Sequence, residues 1–204
     1  MLKGLKGTLS IDLGNTNTVI AFQEEKNNCP ILVKIPNITK TAGIIPTAIW
    51  YEDDRNKPLI GMQAIAKFEE VNNDEFYYSN FKRLIGNPFE KYQKRKLTPE
   101  QSGEKFMRVL WENIPNELII NRLVLTAPID TYKSYRKWLV DICSSFLVKE
   151  IALVDEPTAA AIGMKVPFGS TIMIIDIGGS TIDFNIVKIE GGEGKSAPIA
   201  ELLK

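Results

Sequence analysis

Two aspartates occupy the same place in two copies of one pattern. The stretches LSIDLGNTNTVIAF at 9–22 and MIIDIGGSTIDFNIV at 173–187 share an order: an apolar approach, Asp, an apolar residue, Gly, small polar residues, then a departing strand. A tight turn at Gly14, or at Gly178 and Gly179, lets backbone N–H groups approach an anion without side-chain obstruction. Thr16 in the first copy, and Ser180 and Thr181 in the second, add hydroxyl donors. Asp12 and Asp176 end the incoming strands beside that anion. Magnesium keeps several waters and needs one or two carboxylates, so a facing pair suffices. A single hairpin of this type is ordinarily just a favourable turn. Two copies about a domain's length apart indicate two related lobes, each giving one hairpin to a phosphate site. The glycine-rich GxxxxGK[ST] loop is absent, so this is not a P-loop site.

The rest of the composition narrows the chemistry. The 204 residues contain no histidine, which excludes Ser-His-Asp and Cys-His catalysis and His-ligated zinc within this chain. Cys29 and Cys143 form no CxxC pair and read as two buried free thiols in a reducing compartment. Lys plus Arg and Asp plus Glu each number 25, so bulk charge points to neither nucleic acid nor an anionic membrane. The opening residues lack the apolar run of a signal peptide, and no run reaches a membrane span, so a cytoplasmic location is expected.

The elements that must position these residues follow from pattern. Strands are expected at 9–13 and 18–22, with β-like runs at 30–35 and 47–51. A helix is expected over 61–70. Residues 79–86 form a short segment stopped by Gly86-Asn87-Pro88, and 89–96 is a charged, solvated stretch. Thr98, Pro99 and Gln101 make a capping box that starts a helix running to about Asn113. A buried strand over 122–126 precedes a helix whose apolar face carries Tyr135, Trp138, Leu139, Ile142 and Phe146. A strand at 151–154, a small-residue helix opened by Pro157, a hairpin over 171–189 and a glycine turn at 191–194 complete the chain. Strands followed by strand–helix alternation give an α/β fold: a mixed sheet flanked by helices, of the ribonuclease-H-like type.

Four segments resemble the actin-like ATPase superfamily and, within it, the heat shock protein 70 (DnaK-like) chaperones. They are IDLGNTNT at 11–18, FKRLIG at 81–86, DEPTAAAIG at 155–163 and IDIGGSTIDF at 175–184, with a weaker match in LTAPIDTYKSYRKW at 125–138. FKRLIG together with EPTAAAI is more specific than either hairpin. The resemblance implies ATP or ADP as ligand, with Mg2+ held through water by Asp12 and Asp176. It implies phosphate contacts from Gly14 to Asn17 and from Gly178 to Thr181. Lys82 matches the lysine that orients the attacking water and steadies γ-phosphate charge, Glu156 the glutamate near that water, and Asp176 completes the catalytic set. Pro128 and Arg136 match a pair that relays nucleotide state between domains. Without the resemblance, Lys82 is a lysine in a charged loop, Glu156 a helix N-terminal charge, Pro128 a strand terminator and Arg136 an exposed helix residue.

Departures accompany the match. Asn15 stands where the family has Thr, Asn17 varies too, Ile44-Ile45 replace Thr-Thr before Pro46, and Ser180 replaces a glycine. The resemblance implies a first lobe over 1–168 with a reduced outer subdomain around 47–118, and the opening of a second lobe over 169–204. It places the adenosine-binding part beyond Lys204. The intact protein is then expected to hydrolyse ATP and to engage unfolded peptides and co-chaperones. Residues 1–204 alone are expected to be inactive, with the second hairpin short of sheet partners. A filament-forming actin-like ATPase of the bacterial cytoskeletal type is the alternative, and a small-molecule kinase on the same fold ranks last.

Overall fold

A computed structural model describes residues 4–27, 29–86, 95–128, 133–179, 182–191 and 198–203. Its centre is a mixed sheet of six strands: β1 (Leu5–Leu13), β2 (Asn17–Glu24), β3 (Ile31–Leu32), β4 (Ile44–Pro46), β8 (Leu118–Ala127) and β9 (Glu150–Asp155). They are ordered β3-β2-β1-β8-β9, with β4 also paired to β2. β1 and β2 form the first hairpin and run antiparallel, whereas β1 with β8 and β8 with β9 run parallel. Parallel neighbours bury the middle of the sheet, and β1 shows the period that burial demands: Leu9, Ile11 and Leu13 are almost wholly inaccessible.

Between β4 and β8 the chain builds a second, three-stranded sheet. It consists of β5 (Ala48–Trp50), β6 (Leu59–Ile60) and β7 (Tyr77–Ser79), backed by helix α1 (Met62–Val71), with β5 in the middle. Trp50 packs edge-on against Phe76, and Phe68 stacks on Tyr77. The expected charged stretch at 89–96 lies mostly outside the described residues.

Helix α2 (Pro99–Glu112) begins as its sequence dictates. The Thr98 hydroxyl accepts from the Gln101 N–H at 3.2 Å, and the Gln101 side chain accepts from the Thr98 N–H at 2.9 Å. Its buried face sets Phe106 against Phe81, with ring centroids 6.0 Å apart. Helix α3 (Lys133–Cys143) buries Tyr135, Leu139, Ile142 and Cys143. Helix α4 (Glu156–Gly163) follows β9 directly, with Pro157 in its first turn.

The last sheet is made of β10 (Thr171–Ile177), β11 (Ile182–Gly191) and β12 (Pro198–Leu203), in that order. The expected second hairpin is present, with Asp176 opposite Asp183. Its expected shortage of sheet partners is corrected, because β12 pairs with β11 from Gly191–Pro198 to Ile186–Leu203. One face of this sheet packs Ile172, Ile174, Val187 and Ile189 on Ala161 of α4. The opposite face carries Met173, Ile175, Ile177, Ile182, Phe184 and Ile186, all exposed. The expected pair of buried thiols is also corrected. Cys143 is buried in α3, but Cys29 is exposed in the polar loop before β3.

Candidate phosphate site at the ends of the parallel strands

The parallel register decides which side chains meet. Ile11 is opposite Leu125, and Ala127 is opposite Asp155, so β1, β8 and β9 deliver Asp12, Thr126 and the Asp155–Glu156 corner to one end of the sheet. In open α/β sheets the carboxyl ends of the strands are where ligands bind. Asp12 is fixed there by Thr126, whose hydroxyl donates to Asp12 Oδ1 at 2.6 Å. That leaves the second carboxylate oxygen for a water-carrying cation.

The turn after Asp12 is tight. A Cβ on Gly14 would lie 2.2 Å from the Asn17 carbonyl oxygen, so only glycine closes it without a shift. The neighbouring strand supports the turn from behind. The Thr16 carbonyl accepts from the Thr47 N–H at 2.8 Å, and the buried Thr18 and Thr47 hydroxyls bond to each other at 2.8 Å.

The second hairpin closes on the first. A Cβ on Gly179 would sit 2.0 Å from Thr16 Oγ1 and 3.1 Å from Thr16 Cβ. The two glycine turns, about a domain apart in sequence, are thus in contact, and any side chain at 179 would force them apart. Ser180 and Thr181 lie outside the described residues. Asp176 is exposed at the end of β10, and Gly178 follows it in the turn.

Lys82 reaches this place from a 3-10 turn, Lys82–Leu84. The turn is anchored by Phe81 and Ile85, which are 0% and 2% exposed and flank the lysine like pegs. Polar bonds hold it as well. The Asn15 amide donates to Asn80 Oδ1 at 2.9 Å, and the Gly86 N–H donates to Glu100 Oε1 at 2.8 Å. Asn15 therefore ties the turn after Asp12 to the lysine turn. Lys82 Nζ donates to Glu156 Oε1 at 2.7 Å. Burial raises the Glu156 carboxyl above its ordinary range; Lys82 pulls it back down, and the charges of Asp12 and Asp176 push it up again. Both hairpin aspartates therefore act electrostatically on one glutamate.

Arg136 and Pro128 also meet, since Arg136 Nε donates to the Pro128 carbonyl oxygen at 3.2 Å. The same guanidinium forms an ion pair with Asp155. Asp155 occupies the N-cap position of α4 yet makes no capping bond with its side chain. Its carboxylate is directed to Arg136 instead. Adjacent residues Asp155 and Glu156 thus hold Arg136 and Lys82, one each.

The donor set suits an anion flanked by a hydrated divalent cation. Among the described residues no group of three or more carboxylate or thiol side chains could enclose a bare metal ion.

Residue-level reading missed three contributors: Thr126, Asn80 and Tyr135. Thr126 was signalled by a polar residue closing an apolar strand. Asn80 has a left-handed backbone, φ 56°, which Asn tolerates better than most side chains. Tyr135 lies on the apolar face of α3, and periodicity reports only that it is buried.

Comparison with known proteins gives the following similarities. A family model described as MreB/Mbl protein matches residues 100–196. The chaperone protein DnaK of Thermus thermophilus is 28% identical over 213 residues, covering 91% of this chain and 33% of that protein. DnaK of Ureaplasma urealyticum is 29% identical over 193 residues, covering 90% and 30%. These matches make the chain similar to proteins of the actin-like ATPase superfamily. It spans about a third of the length of these DnaK relatives and is a distant homologue of them. The mixed sheet with its flanking helices is that of an actin-like ATPase lobe. No helix among the described residues is long and apolar enough to cross a membrane.

Proposed function

We propose that this chain supplies the phosphate-gripping part of an ATPase of the heat shock protein 70 (DnaK-like) kind. The observation that carries the reading is the contact of the Asp12 and Asp176 hairpins at Thr16 and Gly179, with the Lys82–Glu156 pair beside Asp12. Backbone N–H groups of the turns at 14–17 and 178–181 grip the phosphates. Asp12, oriented by Thr126, and Asp176 hold the hydration shell of Mg2+. When bound, the cation neutralises phosphate charge. Lys82 turns from Glu156 to the terminal phosphate and steadies the charge that develops there, while Glu156 accepts a hydrogen bond from the attacking water. Positioning and electrostatics are most of what phosphoryl transfer needs. Residues 1–168 form the first lobe and 169–204 open the second. Peptide clients and co-chaperones belong to this reading, as does a role for Pro128 and Arg136 in passing nucleotide state onward. The Arg136 bonds to Pro128 and Asp155 give that role a physical link to Glu156.

The test is turnover against affinity in the full-length protein. Lys82→Ala is expected to cut ATP turnover about 100-fold or more while ADP affinity changes little. Equal losses in both would reduce Lys82 to a binding residue, and no effect of Mg·ATP on the unsubstituted protein would end the reading. The MreB/Mbl match over 100–196 favours a second reading, an actin-like filament former. Nucleotide-dependent pelleting in the ultracentrifuge would support it. The segment 81–86 that carries Lys82 lies outside that match and favours the first.

A further inference from the structure

Tyr135 is 1% exposed, and its hydroxyl is fully buried with no hydrogen-bond partner. An unpaired buried hydroxyl is destabilising, so one retained beside a candidate site needs a reason. Its surroundings supply one. Lys82 Nζ lies 5.7 Å from the centre of the Tyr135 ring while bonded to Glu156 at 2.7 Å. Burial pushes the phenol well above its ordinary range, and the negative charges that add to this are those of Glu156 first and Asp12 second. The phenol is therefore a neutral donor at ordinary pH, on a ring that lies beside the ammonium group held by Glu156.

The Lys82–Glu156 pair poses a problem that this donor answers. If Lys82 leaves for a phosphate, Glu156 becomes a largely buried carboxylate without its cation. Removing one partner of a buried pair is ordinarily strongly destabilising, because the other charge is left unpaired. We propose that the Tyr135 hydroxyl is a standby donor for Glu156, unpaired while Lys82 holds the carboxylate and bonded to it when Lys82 turns to a phosphate. Tyr135 is thus a positioning residue. It keeps Glu156 ionised and aimed during the exchange and lowers the cost of freeing Lys82. The occasion for the exchange rests on the proposed phosphate-site function; the exchange itself does not need nucleotide to be seen.

A double-mutant cycle on the chain isolates the effect. Tyr135→Phe alone is expected to leave Tm unchanged or slightly raised at pH 8, because it removes an unpaired hydroxyl. In the Lys82→Met background, where Glu156 has lost its cation, the same substitution is expected to lower Tm by about 5 °C. Equal effects of Tyr135→Phe in both backgrounds would overturn the proposal, as would a loss of Tm in the Lys82-intact protein. If Lys82→Met fails to fold, 3-fluorotyrosine at 135 is followed by 19F resonance against inorganic phosphate, which competes with Glu156 for Lys82. A saturable shift supports the exchange, and a resonance fixed throughout the titration overturns it. Coupling in the cycle without any effect of Mg·ATP on the full-length protein would sink the ATPase reading and leave the standby role of Tyr135 in place.

Discussion

At the scale of single residues, the two cysteines show how far burial outweighs identity. Burial alone pushes the Cys143 thiol up to about 12, whereas Cys29 is exposed. A thiol reagent at pH 8 is expected to label Cys29 within minutes and Cys143 only after denaturation. Two equally fast thiols would contradict the packing of α3. The same logic sets a pH limit. Burial, then Asp54, which accepts the Tyr51 hydroxyl at 2.8 Å, raises Tyr51 to about 12, and burial holds Tyr135 well above its ordinary range. In the unfolded chain these groups release their protons near their ordinary values, 9.0 for the thiol and 10.0 for the phenols. The native state then binds more protons than the unfolded state, so stability falls as pH rises. Urea midpoints are expected to hold up to about pH 9 and to drop steadily above it; a flat profile to pH 11 would refute the assignment. The aspartates and glycines stood out because their spacing repeats, and Lys82 because its segment resembles that of a known family. Tyr135 was not, because helical periodicity registers a buried ring and is silent about where its hydroxyl ends.

Single elements were legible where their own chemistry fixes them. The capping box of α2 needs only Thr98, Pro99 and Gln101, and the observed bonds are the ones those residues make. Thr98→Ala is expected to cost about 1 kcal/mol, or roughly 2–4 °C in Tm. Calorimetry showing no change would mean that tertiary contacts alone hold that helix start. Very short strands behave in the opposite way. β3 and β6 have two residues each, and β4 has three. Such runs exist because a partner strand is present, so the patterns at 30–35 and 47–51 indicated extended chain without locating the pairs. The 3-10 turn at Lys82 was likewise unreadable alone. Its shape comes from Phe81 and Ile85 being drawn into the core on either side.

On the scale of the whole molecule, the two hairpins show one pattern under opposite burial. Ile11 and Leu13 are 2% and 1% exposed, while their counterparts Ile175 and Ile177 are 49% and 74% exposed. Sequence specified the turn and the strands in both copies, but what covers a face is a property of the surroundings. The six exposed apolar side chains of β10 and β11 make a continuous patch of the size that binds apolar dyes or promotes association. Residues 1–204 are expected to enhance the fluorescence of an apolar dye, and Ile175→Lys with Phe184→Lys to remove most of that signal with little change in Tm. Undiminished dye binding by the double variant would place the apolar surface elsewhere.

The first strand of the chain is also the middle of its sheet. β1 lies between β2 and β8, and its parallel pairing sets Leu5 opposite Leu118, more than half the chain away. During synthesis the hairpin at Asp12 can form early, yet one edge of β1 stays open until residues 118–127 have emerged. Closing so long a loop is entropically slow and leaves apolar strand exposed in the interval. The turn after Asp12 is therefore written first and secured late: the hydrogen bond that fixes Asp12 waits on Thr126, near the end of β8.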